Sequence, residues 1–178
     1  MKILKYILIT ALMMQIGALK YAAAQSWQIS SNYSIQFSLD QASGIFRDMK
    51  GDISFSEQSP NIAKFSVDID ASSLNTGNAL MNKHAKSDEW LDVTKYPAIK
   101  FVSKKISKSG AKYLVTGDLS LHGVTKEIEI PFTFKKDGGS ASFIGNFNIN
   151  RSDFKIGKPG GEVAENIKIN LTVPVSKA

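Results

Sequence analysis

The sequence contains no cysteine among its 178 residues. A disulfide scaffold, a thiolate metal site, a cysteine nucleophile and a thioether-linked lipid anchor are therefore excluded. Proline is scarce, at five residues, and the formal net charge is only +6. With 43% hydrophobic residues, the composition is that of a folded chain, because disordered chains have fewer apolar residues and more net charge. The length predicts a single domain.

Motifs for several chemistries are also missing. The chain has no G-x-S-x-G nucleophile, no P-loop and no dinucleotide fingerprint. Its two histidines, His84 and His122, have no carboxylate at metal-ligand spacing, so we expect no metal and no cofactor.

The first 24 residues have the pattern of a secretory signal peptide. Lys2 and Lys5 precede an apolar stretch that ends in Ala22-Ala23-Ala24, so cleavage is predicted before Gln25. The alternative is a membrane anchor, but the apolar run is shorter than the roughly 20 residues that a bilayer requires. Removing residues 1–24 takes away three lysines and no acid, so the net charge falls from +6 to +3. We therefore expect a periplasmic or secreted protein that does not bind nucleic acid.

Residues 25–178 are predicted to form one all-β domain. Apolar and polar residues alternate with period two, the pattern of strands with one buried face, in eight segments near 33–39, 52–56, 63–70, 99–101, 113–121, 127–135, 143–149 and 167–175. Such an antiparallel arrangement forms a closed barrel or a two-sheet sandwich, and the long strands favour the barrel. Pro131 and Gly145 interrupt two strands and predict kinks or bulges.

One segment breaks this alternation, between Asn78 and Leu91. Leu80, Met81 and His84 share one face of a helix with Leu91, so we predict a single short amphipathic helix after the third strand.

The ten phenylalanines all follow residue 24, and most fall on the predicted inward faces. An eight-stranded barrel is either filled by its own side chains or holds one small ligand. Periodicity alone leaves both alternatives open.

Four segments resemble the YceI-like family. The sequence HAKSDEWLDV at 84–93, followed by KYPAIKF, resembles H-x-K-S-x-x-F-F-D-V and K-Y-P-x-I-x-F. GDLSLHGVTK at 117–126 resembles G-D-L-T-L-H-G-V-T-K, NRSDF at 150–154 is identical to the family segment, and the turn from Ser72 to Asn78 resembles S-L-x-T-G-N. Two positions depart from the family pattern: Lys155 stands where a glycine is usual, and Trp90-Leu91 stands for two phenylalanines.

This resemblance implies an exported, lipocalin-like barrel that holds a long apolar molecule in a hydrophobic tunnel. The cargo would be a polyisoprenoid, an isoprenoid quinone or a fatty acyl chain or amide. The predicted ligand-binding residues are Phe37, Phe55, Phe65, Phe101, Phe132, Phe134, Phe143, Phe147, Leu80, His84, Trp90 and Arg151.

Three polar residues have alternative interpretations. The ring of His84 either faces a head group or packs on the barrel with a backbone carbonyl as partner, and we favour the second. His122 precedes Gly123 in a turn, which favours a structural role. Arg151 could form an inward ion pair with Asp153 near one barrel mouth, to fix the strand end or to meet a polar head group.

The first functional hypothesis is a non-enzymatic lipid-binding protein. The alternatives are a solid barrel whose outer surface binds an envelope protein, and an enzyme with His84 as its base. A transient membrane contact and pairing of two barrels remain open.

Overall fold

A computed structural model describes residues 24–40 and 42–178. The signal peptide predicted for residues 1–24 lies, except for Ala24, outside the described residues. No helix within the described part is long and apolar enough to cross a membrane.

The described residues form strands and one short α-helix, joined by turns and short 3₁₀ segments. The α-helix is α1 (Ala79–Ala85), and it follows the sixth strand segment. The strand segments are β1 (Gln25–Ile29), β2 (Ser34–Leu39), β3 (Ala42–Phe46), β4 (Met49–Phe55), β5 (Lys64–Asp70), β6 (Leu74–Asn75), β7 (Ala98–Ser109), β8 (Lys112–Leu121), β9 (Val124–Asp137), β10 (Ser140–Asn150) and β11 (Asn166–Lys177).

These segments make an eight-stranded antiparallel barrel. β1 and β2 both pair with β11 and are two parts of one barrel strand. β3 and β4 form the next strand, and β5 with β6 the third, because β4 pairs with β1 and β5 while β3 pairs with β2 and β6. From β7 to β11 each strand pairs with the next, and the β1–β11 pairing closes the barrel. The predicted fold class, with a single short helix, is confirmed.

Strand β8 shows why period two predicts the fold. Its burial alternates without interruption, with Tyr113, Val115, Leu119 and Leu121 buried. Every second residue therefore points into the barrel, as the pleat of a strand requires.

The helix differs in extent from its prediction. It covers only residues 79–85, where the side chain of Asn78 caps the start by accepting from the Met81 N–H at 3.0 Å. The hydroxyl of Ser87 donates to the carbonyl of His84 at 2.7 Å and competes with continuation of the helix. No residue of α1 is buried, and Leu80 is 78% exposed. Leu80, which the sequence predicts as a ligand-binding residue, does not line the cavity, because a helix of two turns at the barrel rim buries only part of its circumference.

The ladder between β9 and β10 is incomplete. It runs from Ser140–Asp137 to Gly145–Phe132 and stops there, although β9 begins at Val124 and β10 continues to Asn150. Pro131 and Gly145, at which the sequence predicts irregularity, thus stand where the two strands cease to pair.

Candidate functional site: an apolar cavity in one half of the barrel

One end of the barrel is filled by aromatic side chains. Phe55 is 0% exposed, and its ring centroid lies 4.9–6.2 Å from five other rings. Aromatic pairs are attractive at this separation. The indole of Trp27 joins the group by donating to the Phe55 carbonyl at 3.1 Å. We call this group the aromatic cluster, and it consists of Trp27, Phe55, Phe65, Tyr113, Phe132, Phe134 and Phe143.

The aromatic cluster should carry much of the stability of the fold. Phe55→Ala is expected to reduce the free energy of unfolding by about 3–5 kcal/mol, because it removes a ring that is surrounded on all sides. Phe147→Ala should have a clearly smaller effect, since Phe147 is only half-buried and lines the cavity described next. Urea unfolding of both variants checks the ranking, and equal losses would contradict the division of the interior into a filled and an open half.

The other half of the barrel holds a cavity of about 420 Å³. Its wall is almost entirely aliphatic and aromatic, with one or more side chains from each of the strand segments β2–β11. The inward positions along these strands include Ile35, Phe37, Val67, Ile69, Ile99, Phe101, Leu119, Leu121, Ile128, Ile130, Phe147, Ile149, Ile167, Ile169, Leu171 and Val173.

The cavity reaches the surface next to α1. Met81 and His84 line the cavity and are exposed to solvent. Trp90 and Leu91, from the segment that follows the helix, also line the cavity. The His84 and Trp90 rings meet edge-on, with centroids 5.6 Å apart. The indole Nε1 of Trp90 is buried without a hydrogen-bond partner among the described residues. His84 is therefore the exposed polar side chain at this open end.

Arg151 lies next to Trp90 at this end of the cavity, with its guanidinium carbon 5.5 Å from the centre of the indole ring. It is 1% exposed, and its guanidinium donates to the carbonyls of Ile156, Lys158, Val163 and Ala164 at 2.8–3.1 Å. A planar group with five donors suits such a set of acceptors. The guanidinium thereby holds residues 156–164 against the barrel and places Ile156 and Val163 in the cavity wall.

Glu165 holds the same segment from the outside. Its carboxylate accepts from the Gly160 backbone N–H at 3.0 Å and from the Asn150 amide at 3.3 Å. The hydrogen bond from the Gly160 N–H has the largest effect on the pKa of Glu165, and that from Asn150 the next largest. Together they hold this pKa below its ordinary value. The stabilisation by Glu165 is therefore present at neutral pH and is lost as the pH falls through the lowered pKa.

The predicted site residues divide into three groups. Leu80 lies outside the cavity and is exposed. Five phenylalanines belong to the aromatic cluster and not to the cavity wall, namely Phe55, Phe65, Phe132, Phe134 and Phe143. Those that line the cavity are Phe37, Phe101, Phe147, His84, Trp90 and Arg151.

Two expectations for polar residues differ from the structure. Arg151 does not pair with Asp153, because β10 ends at Asn150 and the next four residues form a 3₁₀ turn that sends the two side chains apart. Asp153 is exposed and pairs with Lys126 at 2.5 Å. His84 packs on Trp90, and no described backbone carbonyl accepts from its ring.

The other candidates are structural or surface groups. His122 lies in the β8–β9 turn with φ 51°, and its Nδ1 is 3.0 Å from the Phe154 carbonyl. No group of three or more His, Asp or Glu within residues 24–40 and 42–178 could hold a metal ion.

Sequence reasoning missed most of the cavity wall. It selected phenylalanines, whereas the wall consists mainly of isoleucine, leucine and valine. The period-two pattern does place these residues on the inward faces of the strands. It does not show how far along the barrel axis each residue lies, because that depends on the registers between neighbouring strands.

An antiparallel barrel with one end packed and an apolar cavity in the other half defines a lipocalin-like class of protein. The sequence model of the YceI-like domain family matches residues 27–175. The chain belongs to this family.

Known relatives agree with this assignment. A UPF0312 protein from Pseudomonas syringae pv. tomato is 40% identical over 136 residues, 72% of this chain and 70% of that protein. Burkholderia cenocepacia BcnA superposes with a TM-score of 0.77 at 25% identity, covering 80% of this chain and 95% of that one. A domain from Saccharophagus degradans, reported as polyisoprenoid-binding, has a TM-score of 0.65 at 14% identity and covers 87% of this chain and 99% of that one, which shows a common fold.

Proposed function

We propose that the protein encloses one long apolar molecule in its barrel and carries or sequesters it without chemical change. The apolar cavity of about 420 Å³ carries this proposal. Its volume lies within the range of about 300–1,000 Å³ that is usual for small-molecule sites. An apolar guest that fills the cavity removes this apolar wall from water, which is favourable by about 25 cal/mol per Å² of apolar surface buried.

The geometry supports an elongated guest with one polar end. The aromatic cluster closes the barrel beyond the cavity, so a chain that enters has its tail against these rings. His84 is exposed and lines the cavity at its open end, where a head group would remain. A polyisoprenoid, an isoprenoid quinone, or a fatty acyl chain or amide has this form. The S. degradans domain reported as polyisoprenoid-binding supports the first of these.

Transfer from a membrane to such a cavity has a small net free energy. Each CH₂ group gains about 0.8 kcal/mol on leaving water, but a lipid chain already has this gain in the bilayer. The cavity offers the chain a similar apolar environment, so loading and release are both accessible. This near balance is suited to a carrier.

Catalysis is not part of the proposal. Among the residues that the structure describes, no carboxylate lines the cavity, and His84 is exposed at its edge. A histidine without an orienting partner and without a nucleophile beside it lacks the arrangement of a general base.

The site of action that we propose is the periplasm or the exterior, reached through cleavage of residues 1–24. Export predicts that protein recovered from the cell envelope begins at Gln25. Intact-mass measurement of that protein tests the prediction, and a mass that retains residues 1–24 would show that the segment is kept.

Native mass spectrometry tests the binding function. Protein purified from its own envelope is expected to carry one adduct per chain that organic extraction releases as a prenyl or acyl compound. After extraction, the protein should take up one added long-chain lipid but not a short-chain analogue. A bare mass and no uptake of long chains would favour the alternative of a barrel that acts through its outer surface.

A further inference from the structure

The wall of the cavity contains a seam where two neighbouring strands are not hydrogen-bonded. Between β9 and β10 the ladder ends at Phe132–Gly145. Beyond it, residues 124–131 and 146–150 continue along the cavity half without pairing to each other. We call these two stretches the seam.

Two residues explain why the ladder ends here. The next pair would join Pro131 to Asn146, and proline has no N–H to donate. Gly145 lies against the Pro131 carbonyl, since a Cβ atom built on it would be 3.1 Å from that oxygen and 3.2 Å from Leu171 Cδ1. The ladder therefore ends at the position where β9 has no N–H to offer to β10.

The other edges of the same two strands are fully paired. β9 pairs with β8 as far as Leu121–Val124, and β10 pairs with β11 as far as Asn150–Asn166. The wall is thus continuous on both sides of the seam. A wall opens most readily where it lacks backbone hydrogen bonds.

The side chains that flank the seam belong to the cavity. Ile128 and Ile130 on β9, and Phe147 and Ile149 on β10, all line it. Apolar side chains flank the seam. Just after the end of β10, the Lys126–Asp153 ion pair joins its two sides, and both of these side chains are about half exposed. An exposed ion pair of this kind resists separation only weakly.

We propose that the chain-shaped ligand enters and leaves the cavity sideways through this seam. The proposal rests on the function proposed above. At the open end of the barrel, α1, the segment after it and residues 156–164 border the opening, since Met81, Leu91 and Val163 form part of the cavity lining. Lateral passage lets a long chain move in along its length, without threading end-first past these segments.

A reversible crosslink across the seam tests the proposal. Continuing the register of Gly145–Phe132 by three residues places Asn148 opposite Glu129, and both are exposed. Because the chain has no cysteine, Glu129→Cys with Asn148→Cys gives a unique pair, which dibromobimane or oxidation can join. The control pair is Lys135→Cys with Ser142→Cys, which lies in the intact part of the same ladder.

Stopped-flow fluorescence with cis-parinaric acid measures uptake and release. Crosslinking the seam is expected to slow both rates by about tenfold or more and to leave the equilibrium affinity within about twofold, because a closed passage raises the barrier between unchanged end states. The crosslinked control should keep the rates of its uncrosslinked form. Pro131→Thr, which restores an N–H at an exposed position, should slow exchange to a smaller extent.

The outcomes separate the two proposals. Unchanged rates in the crosslinked seam variant, with normal affinity, would overturn lateral passage and leave the binding function intact. A protein that binds no long chain before crosslinking would overturn the binding function and, with it, the passage.

Discussion

Replacing Arg151 by lysine is expected to lower the free energy of unfolding by on the order of 3–5 kcal/mol. The guanidinium is 1% exposed and donates to four backbone carbonyls of the segment 156–164. Lysine keeps the charge, but its compact ammonium cannot replace the planar fork that reaches all four acceptors. Several carbonyls would then lose their charged donor, and each such hydrogen bond contributes about 1.5–3 kcal/mol.

Urea unfolding followed by circular dichroism measures this loss. Arg47→Lys is the matched control, because Arg47 is the other arginine of the chain and is exposed. It should change stability by no more than about 0.5 kcal/mol, as surface substitutions usually do. Equal midpoints for the two variants would contradict the assignment of Arg151 as the group that fixes this segment.

The fold was predictable because its signal is local. Alternation between inward and outward residues is carried by each strand alone, and β8 shows it from Lys112 to Leu121 without a break. Antiparallel neighbours joined by short turns then leave few arrangements. β1 and β3 were missed, since each is only five residues long and Gly44 interrupts the pattern of β3.

The boundary between packed and open halves was not predictable in the same way. Whether Phe55 and Phe143 are in contact depends on how strands distant in sequence align. Their ring centroids are 5.4 Å apart, and this distance depends on the registers of several strand pairs. The positions of the turns do indicate part of the aromatic cluster. Phe55 and Phe65 flank one connection, and Phe134 and Phe143 flank another at the same end of an up-and-down barrel.

The predicted ion pair between Arg151 and Asp153 was wrong for a different reason. The predicted Arg151–Asp153 pair assumes that the strand continues, and a residue two positions on then shares its face. The chain instead turns at Asn150, whose side chain accepts from the Ser152 N–H at 2.8 Å. The turn capped by Asn150 thus points Arg151 and Asp153 in different directions. The period-two pattern does not indicate that a strand ends at such a turn.

Val67→Phe is expected to weaken binding of a long-chain lipid by about 15-fold. The larger side chain projects into the cavity that Val67 lines and occupies the place of about two methylene groups of the guest. At about 0.8 kcal/mol per methylene, the loss is about 1.6 kcal/mol. The lipid-free protein should keep or slightly gain stability, because the new ring fills space and displaces no neighbour.

Val102→Phe provides the same chemical change on the opposite face of the wall. Val102 is 51% exposed and pairs with Ser66, the residue before Val67. Fluorescence titration with cis-parinaric acid should show normal affinity for Val102→Phe and the large loss only for Val67→Phe, with thermal unfolding of both proteins near that of the parent. Equal affinities would mean that ligands bind outside the barrel. If Val67→Phe loses binding while its stability is unchanged or increased, the loss cannot come from damage to the fold. The ligand must then bind in the cavity inside the barrel.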